Sequence, residues 1–171
     1  MSSARPSGSS RVVDLDGLVA ELEGARDAFH EALADVDADL VTVPGVVGDW
    51  SVRDLVVHVA AWSEHAAAAL ALASAGRGGE FAYSTDDTDA MNEGFVVEGR
   101  ALSPREALER EAAAFGAFRE AVRALDSGLL VARLGNGDSV EDVIRYDGPD
   151  HYAEHTEHLR SWFGDDPPDE G

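Results

Sequence analysis

The chain has no cysteine and no lysine, and it lacks any long unbroken apolar run. Without cysteine there can be no disulfide, no thiolate metal site and no cysteine nucleophile. That usage agrees with an expected cytoplasmic location. Without lysine, the thirteen basic residues are all arginine, set against 34 acids for a net charge of −21. A field of that sign repels phosphate backbones, and the arginines are scattered among acids rather than gathered in a patch, so nucleic-acid binding is not expected. The acidity itself reads as solubility and is no argument for a metal site. The most apolar stretches, Val56–Trp62 and Ala66–Ala75, have His and Glu between them and fall short of the ~20 apolar residues of a membrane helix, so no membrane partner is expected. Residues Met1–Ser10 have no apolar core, so no secretory signal is expected. Their Ser, Gly and Pro content predicts a disordered lead-in over 1–11. Strand-like alternation is missing throughout.

What is present is helical. With 171 residues and 44 % hydrophobic content, the chain suits one domain with one core, expected over 12–164 and followed by a frayed acidic tail over 165–171. Leu15, Leu18, Leu22, Ala25, Phe29, Leu33, Val36 and Leu40 recur in three- and four-residue steps and predict a helix from about Asp14 to Asp37. Pro44, Gly45 and Gly48 mark a loop. Ser51 with Asp54 resembles a capping box and starts a second helix through Leu55, Val59, Trp62, Ala66 and Leu70, ended by the glycines from Gly76. A short helix is expected around Thr88–Glu98. Ser103-Pro104-Arg105-Glu106 opens a third long helix, with Leu108, Ala112, Phe115, Phe118, Val122 and Leu125 on one stripe. Ser139–Tyr146 reads as a short helix broken by Asp147-Gly148-Pro149, and a further helix runs from Pro149 to Gly164. The expected fold is all-α, an up-down four-helix bundle with a short extra helix in the central connection.

Three of the six histidines crowd into eight residues: His151, His155 and His158. At ~100° per residue, His155 projects ~40° from His151 and His158 ~20° to the other side, so all three share one broad face. The i, i+4 pair His151 and His155 has the spacing by which one helix supplies two imidazoles to one ion. The apolar residues Tyr152, Leu159, Trp162 and Phe163 point nearest to His155, leaving His158 as the spare. Solvated helix histidines remain the other reading. A third ligand is available in His58, on the flank of the second helix's apolar stripe, although a lone histidine there is more often a satisfied core residue. His65, two turns on, is placed at the rim of the same cavity. His30 points about 100° away from the stripe of Phe29 and is read as surface. Phe29, Phe115 and Phe118 are assigned to packing, and Trp50 to a staple-like contact at the helix start. Three neutral imidazoles leave open positions on a borderline ion such as zinc or nickel.

The segment Gly48-Asp49-Trp50-Ser51-Val52-Arg53-Asp54 with His58, Ala60, Ala61 and Trp62 resembles the second-helix signature of the DinB/YfiT-like four-helix bundles. His151-Tyr152-Ala153-Glu154-His155 resembles that family's fourth-helix His-x-x-x-His. Asp89-Ala90-Met91-Asn92-Glu93 and Ser103-Pro104-Arg105-Glu106 are similar to the middle of its colibactin self-protection (cyclopropane hydrolase) branch. The resemblance spans most of Leu15–Trp162. It implies a bundle, often a homodimer, with a divalent metal on His58, His151 and His155. It also implies mycothiol or a similar low-molecular-weight thiol as co-substrate, and no DNA binding.

Three functional readings follow for a small-molecule partner. One is a metal-dependent S-transferase or isomerase-like enzyme in which thiol or water attacks a small electrophile, with Trp62, His65, Asn92, Tyr152 and Trp162 around the substrate. Another is a metal-independent hydrolase or sequestering self-resistance protein for a strained-ring metabolite. The third is a non-catalytic binding bundle. Glu154 is read as a solvent-facing acid in preference to a general base.

Overall fold

The computed structural model describes residues 13–82 and 87–164. The expected lead-in over 1–11 and acidic tail over 165–171 lie outside the described residues. Within them are six α-helices: α1 (Leu15–Ala34), α2 (Val52–Ser74), α3 (Thr88–Gly99), α4 (Pro104–Ala124), α5 (Val140–Asp147) and α6 (Pro149–Gly164). Isolated bridges at Val47–Trp50 and Arg133–Ser139 stand in place of any strand among the described residues.

Local chemistry sets the helix starts. Ser51 accepts from the Asp54 N–H while Asp54 accepts from the Ser51 N–H. Ser103 with Glu106 and Ser139 with Asp142 repeat the same reciprocal box. Each box satisfies two amides that the first helical turn leaves without partners. α1 stops at Ala34, short of the expected Asp37. The acids Asp35 and Asp37 would face the negative end of the helix dipole, and the chain instead tightens into a 3-10 turn at Ala38–Leu40.

The four long helices close around one core. α4 packs along α2, α6 along α1, and α1 also against α4. Cross-helix pairs set their directions. Arg26–Glu111 and Arg123–Glu23 make α1 and α4 antiparallel. Trp62–Asn92 at one end and Val57 beside Gly99 at the other make α3 run back along α2. The short helix in the central connection thus takes up a return stroke. α4 then runs in the same sense as α2, with Arg110 on Glu64 and, just before α4, Arg100 near Asp54. α6 runs in the same sense as α1, with Phe29 on Tyr152 and, further along both, Ala32 near Leu159, so the alternation expected from the sequence becomes up, down, down, up.

α2 is the central helix. Leu55, Val57, Val59, Ala60, Ala66 and Ala69 are fully buried. By length and composition it could cross a membrane, which the apolar-run reading of the sequence did not foresee, but two thirds of its most apolar window (67 %) lies inside the bundle.

Candidate metal centre

Two helices bring the histidines together. On α2, the Ser51–Asp54 box sets the phase of the first turn, and His58 follows two turns after Ser51, 4 % exposed. On α6, Gly148 lets the helix start hard against its neighbours. A Cβ at Gly148 would strike the Ile144 carbonyl and stand 3.1 Å from Leu22 and 3.2 Å from Phe118. Pro149 then occupies the first turn, where a missing N–H costs nothing. Tyr152, fully buried, donates from its hydroxyl to Glu111 Oε1 at 2.6 Å. Thr156 donates back to the Tyr152 carbonyl at 2.8 Å. This anchoring fixes the rotation of α6 and turns His151 and His155 toward His58.

The three Nε2 atoms form a triangle with edges of 2.8 Å (His58–His151), 3.1 Å (His58–His155) and 2.9 Å (His151–His155). Nitrogens bound at about 2.0–2.1 Å to one ion lie about 2.9–3.4 Å apart for bond angles between octahedral and tetrahedral, so the triangle has the size three imidazoles on one ion require. Two further observations fit a metal. Burial above all, reinforced by the neighbouring imidazoles, lowers the His58 pKa to about 3, and burial lowers that of His151 to about 4. His155 is also pushed down, by burial and then by its histidine neighbours. All three are therefore neutral, the ligating form. A hydrogen-bonded triangle of neutral rings, in contrast, crowds lone pairs. The Nδ1 atoms of His58 and His151 are buried with no hydrogen-bond partner among the described residues, so of the three rings only His155 has the outer contact that usually orients a ligating imidazole.

The surroundings orient these rings. Trp50 stands 4.8 Å from His58, centroid to centroid. The Nδ1 of His155 is 3.0 Å from the Nδ1 of His158, so His158 is the partner that sets the tautomer of His155. On the helical wheel alone it is the spare of the three. A cavity of about 560 Å³ opens beside the triangle, lined by the three histidines and by Trp50, Trp62, Asn92, Asp138, Tyr146, Asp147, Glu154 and His158 among others. Trp62 and Asn92 are joined within the wall, with the indole N–H donating to Asn92 Oδ1 at 2.7 Å.

Three residues expected around the substrate stand elsewhere. Tyr152 is directed into the core, between Phe29 and Phe115, because a fully buried carboxylate waits there for its hydroxyl. His65 lies behind the wall, its ring against Trp62 and Phe81, and burial lowers its pKa. Trp162 packs on Phe163 and on the loop at Gly45, where a Cβ would stand 3.4 Å from its Nε1. His30, expected at the surface, is half-buried, and its Nε2 is 3.0 Å from Glu111 Oε2.

Helical periodicity does not single out Glu111 in the sequence. It is 0 % exposed and accepts from Arg26 twice at 2.9 Å, from Tyr152, and from His30. Burial alone would raise its pKa, but the hydrogen bonds from His30, Arg26 and Tyr152 outweigh it and bring the carboxyl down to about 2. Asp147 also lies outside the residues that periodicity and motif spacing single out. A signal existed: the Asp147-Gly148-Pro149 break puts a carboxylate at the end of α5, directly ahead of the histidine helix.

Residues 22–160 match the family described as the mycothiol maleylpyruvate isomerase N-terminal domain. A solved structure, an uncharacterised protein from Escherichia coli UTI89, aligns at a TM-score of 0.73 over 86 % of this chain and 91 % of its own length, at 15 % identity, which speaks for the fold alone. No curated protein matches.

Proposed function

The chain belongs to the mycothiol maleylpyruvate isomerase N-terminal domain family, within the DinB/YfiT-like helical superfamily, and from that premise we propose that it is an isomerase- or transferase-type enzyme that holds zinc or nickel on His58, His151 and His155 and directs a low-molecular-weight thiol such as mycothiol, or a water, at a small electrophile. The observation that carries this is the Nε2 triangle of 2.8, 2.9 and 3.1 Å beside a cavity of substrate size. When bound, such an ion lowers the pKa of a thiol or water into the neutral range. The residues supply the rest. His58, His151 and His155 give neutral nitrogen donors from two rigid helices. His158 orients His155, and Trp50 limits the rotation of His58. The Trp62–Asn92 pair closes part of the wall and keeps water from that side.

The test is elemental analysis of tag-free protein alongside His58→Ala and His155→Ala. Near-stoichiometric zinc or nickel in the parent, lost in both variants, is the expected result, followed by thiol-dependent turnover that chelation abolishes. A parent that takes up no ion even on reconstitution sinks the reading. The seating of Asn92 on Trp62 favours one second reading, because it puts the Asp89–Glu93 segment, similar to the self-protection branch, at the cavity. In that reading the protein opens a strained ring without metal. Ring opening that survives chelation would select it.

A further inference from the structure

We infer that the substrate of this cavity carries an amine or other cationic group that docks on Asp147, and that the cavity rejects dicarboxylates; the inference rests on the histidine cavity being a substrate site. The wall holds three carboxylates, Asp138, Asp147 and Glu154, and no arginine among the described residues. Asp138 is already engaged, accepting from Asn136 and from the Tyr146 hydroxyl. Asp147 differs. It is 5 % exposed, and its Oδ2 is buried with no hydrogen-bond partner among the described residues. Asp147 lines the cavity, and buried polar atoms are almost always paired, so an unpaired carboxylate in that wall is a place for a ligand's donor.

The chemistry of the occupant follows from its neighbours. Burial, and then the charge of Asp138, hold the Asp147 carboxyl well above the usual carboxylate range. An ammonium group beside it offsets both effects and supplies N–H donors. Trp50, Trp62 and Tyr146 line the same space, and aromatic faces attract cations. Away from the histidines, the charged groups that the described residues of the wall offer a dicarboxylate such as maleylpyruvate are all of like sign. The family's named substrate is therefore a poor fit for this member.

The test uses the full chain, metal-free and zinc-loaded, with benzylammonium and benzoate as a matched pair of probes. Binding is followed through the indole N–H resonances of Trp50 and Trp62 in about 0.15 M salt, which screens the general pull of the acidic surface. The expected result is benzylammonium bound at least tenfold more tightly than benzoate in the metal-free form. Asp147→Asn should then weaken benzylammonium about tenfold, the scale of one charge-assisted hydrogen bond, while surface attraction persists. Should Asp147→Asn not fold, the carboxyl carbon resonance of Asp147 in the parent decides the matter: it should shift on adding benzylammonium and not on adding benzoate, and no shift with benzylammonium overturns the inference. Benzoate binding as tightly as benzylammonium, or a folded Asp147→Asn that keeps full affinity, overturns the inference. The enzyme reading fails separately: no metal uptake and no thiol-dependent turnover would remove it while the cation preference stands.

Discussion

Replacing Glu111 by Gln probes how the buried network holds the metal helix. The carboxylate sits among α1, α4 and α6 and receives two N–H groups from Arg26, one contact from His30 and the Tyr152 hydroxyl. Its pKa falls from an ordinary value near 4.5 to about 2. At about 1.4 kcal/mol per unit, the ionised form contributes about 3 kcal/mol to folding. Because the folded-state value is depressed, that contribution is complete above pH ~4.5 and disappears as pH falls toward ~2. Glutamine resembles the protonated acid. The variant should therefore lose about 3 kcal/mol at neutral pH, or roughly 6–12 °C in Tm for a chain of this size, and the gap to the parent should close as pH approaches 2. Urea titrations of both proteins at a series of pH values measure this directly. A deficit under 1 kcal/mol at pH 7, or one that stays constant down to pH 2.5, would refute the reasoning. A further consequence concerns the site: Tyr152 lies between His151 and His155, so the variant should also bind metal more weakly.

Other expectations are simpler. His158→Ala keeps the three ligands but removes the partner of His155 Nδ1, and zinc affinity by competition with a chelator should fall about 10–100-fold with little change in stability. Gly99→Ala places a Cβ 2.6 Å from Val57, so α3 must shift, and chemical denaturation should show a loss of about 1–3 kcal/mol. Trp62→Phe strips the donor from the Asn92 bond and should cost about 1 kcal/mol, with a change in the cavity-facing resonances of α3. Zinc at about 1,000 times its Kd should raise stability by about 4 kcal/mol in calorimetry, and His58→Ala should abolish that increment.

Much of the helical frame could be read from the chain. Ser51–Asp54 and Ser103–Glu106 are short-range signals whose partners lie three residues away, and periodic stripes such as Leu18, Leu22 and Phe29 report burial directly. The histidine triangle was also legible, because one i, i+4 pair and one flanking His58 need only helical geometry to be compared. The legible part ended where a side chain's partner lies on another helix. The apolar face of its helix points Tyr152 toward the substrate wall, and a wheel cannot show that Glu111, forty-one residues away, takes its hydroxyl. His30 looked exposed for the same reason. Asp147 is hard to read for another reason: a helix-breaking tripeptide signals a backbone turn and says nothing of the burial of the carboxylate at its edge.

The triangle also has a topological meaning. His58 and His151 are separated by 93 residues, and α2 meets α6 through few residues beyond these rings. An ion shared by the two closes a loop of that length. Unlike a disulfide, such a link is not retained when the chain unfolds, so it stabilises by mass action, by about 4 kcal/mol at about 1,000 times the Kd of the ion. A protein with no cysteine would thereby gain a cross-link that sets with the supply of metal and releases when the metal is withdrawn.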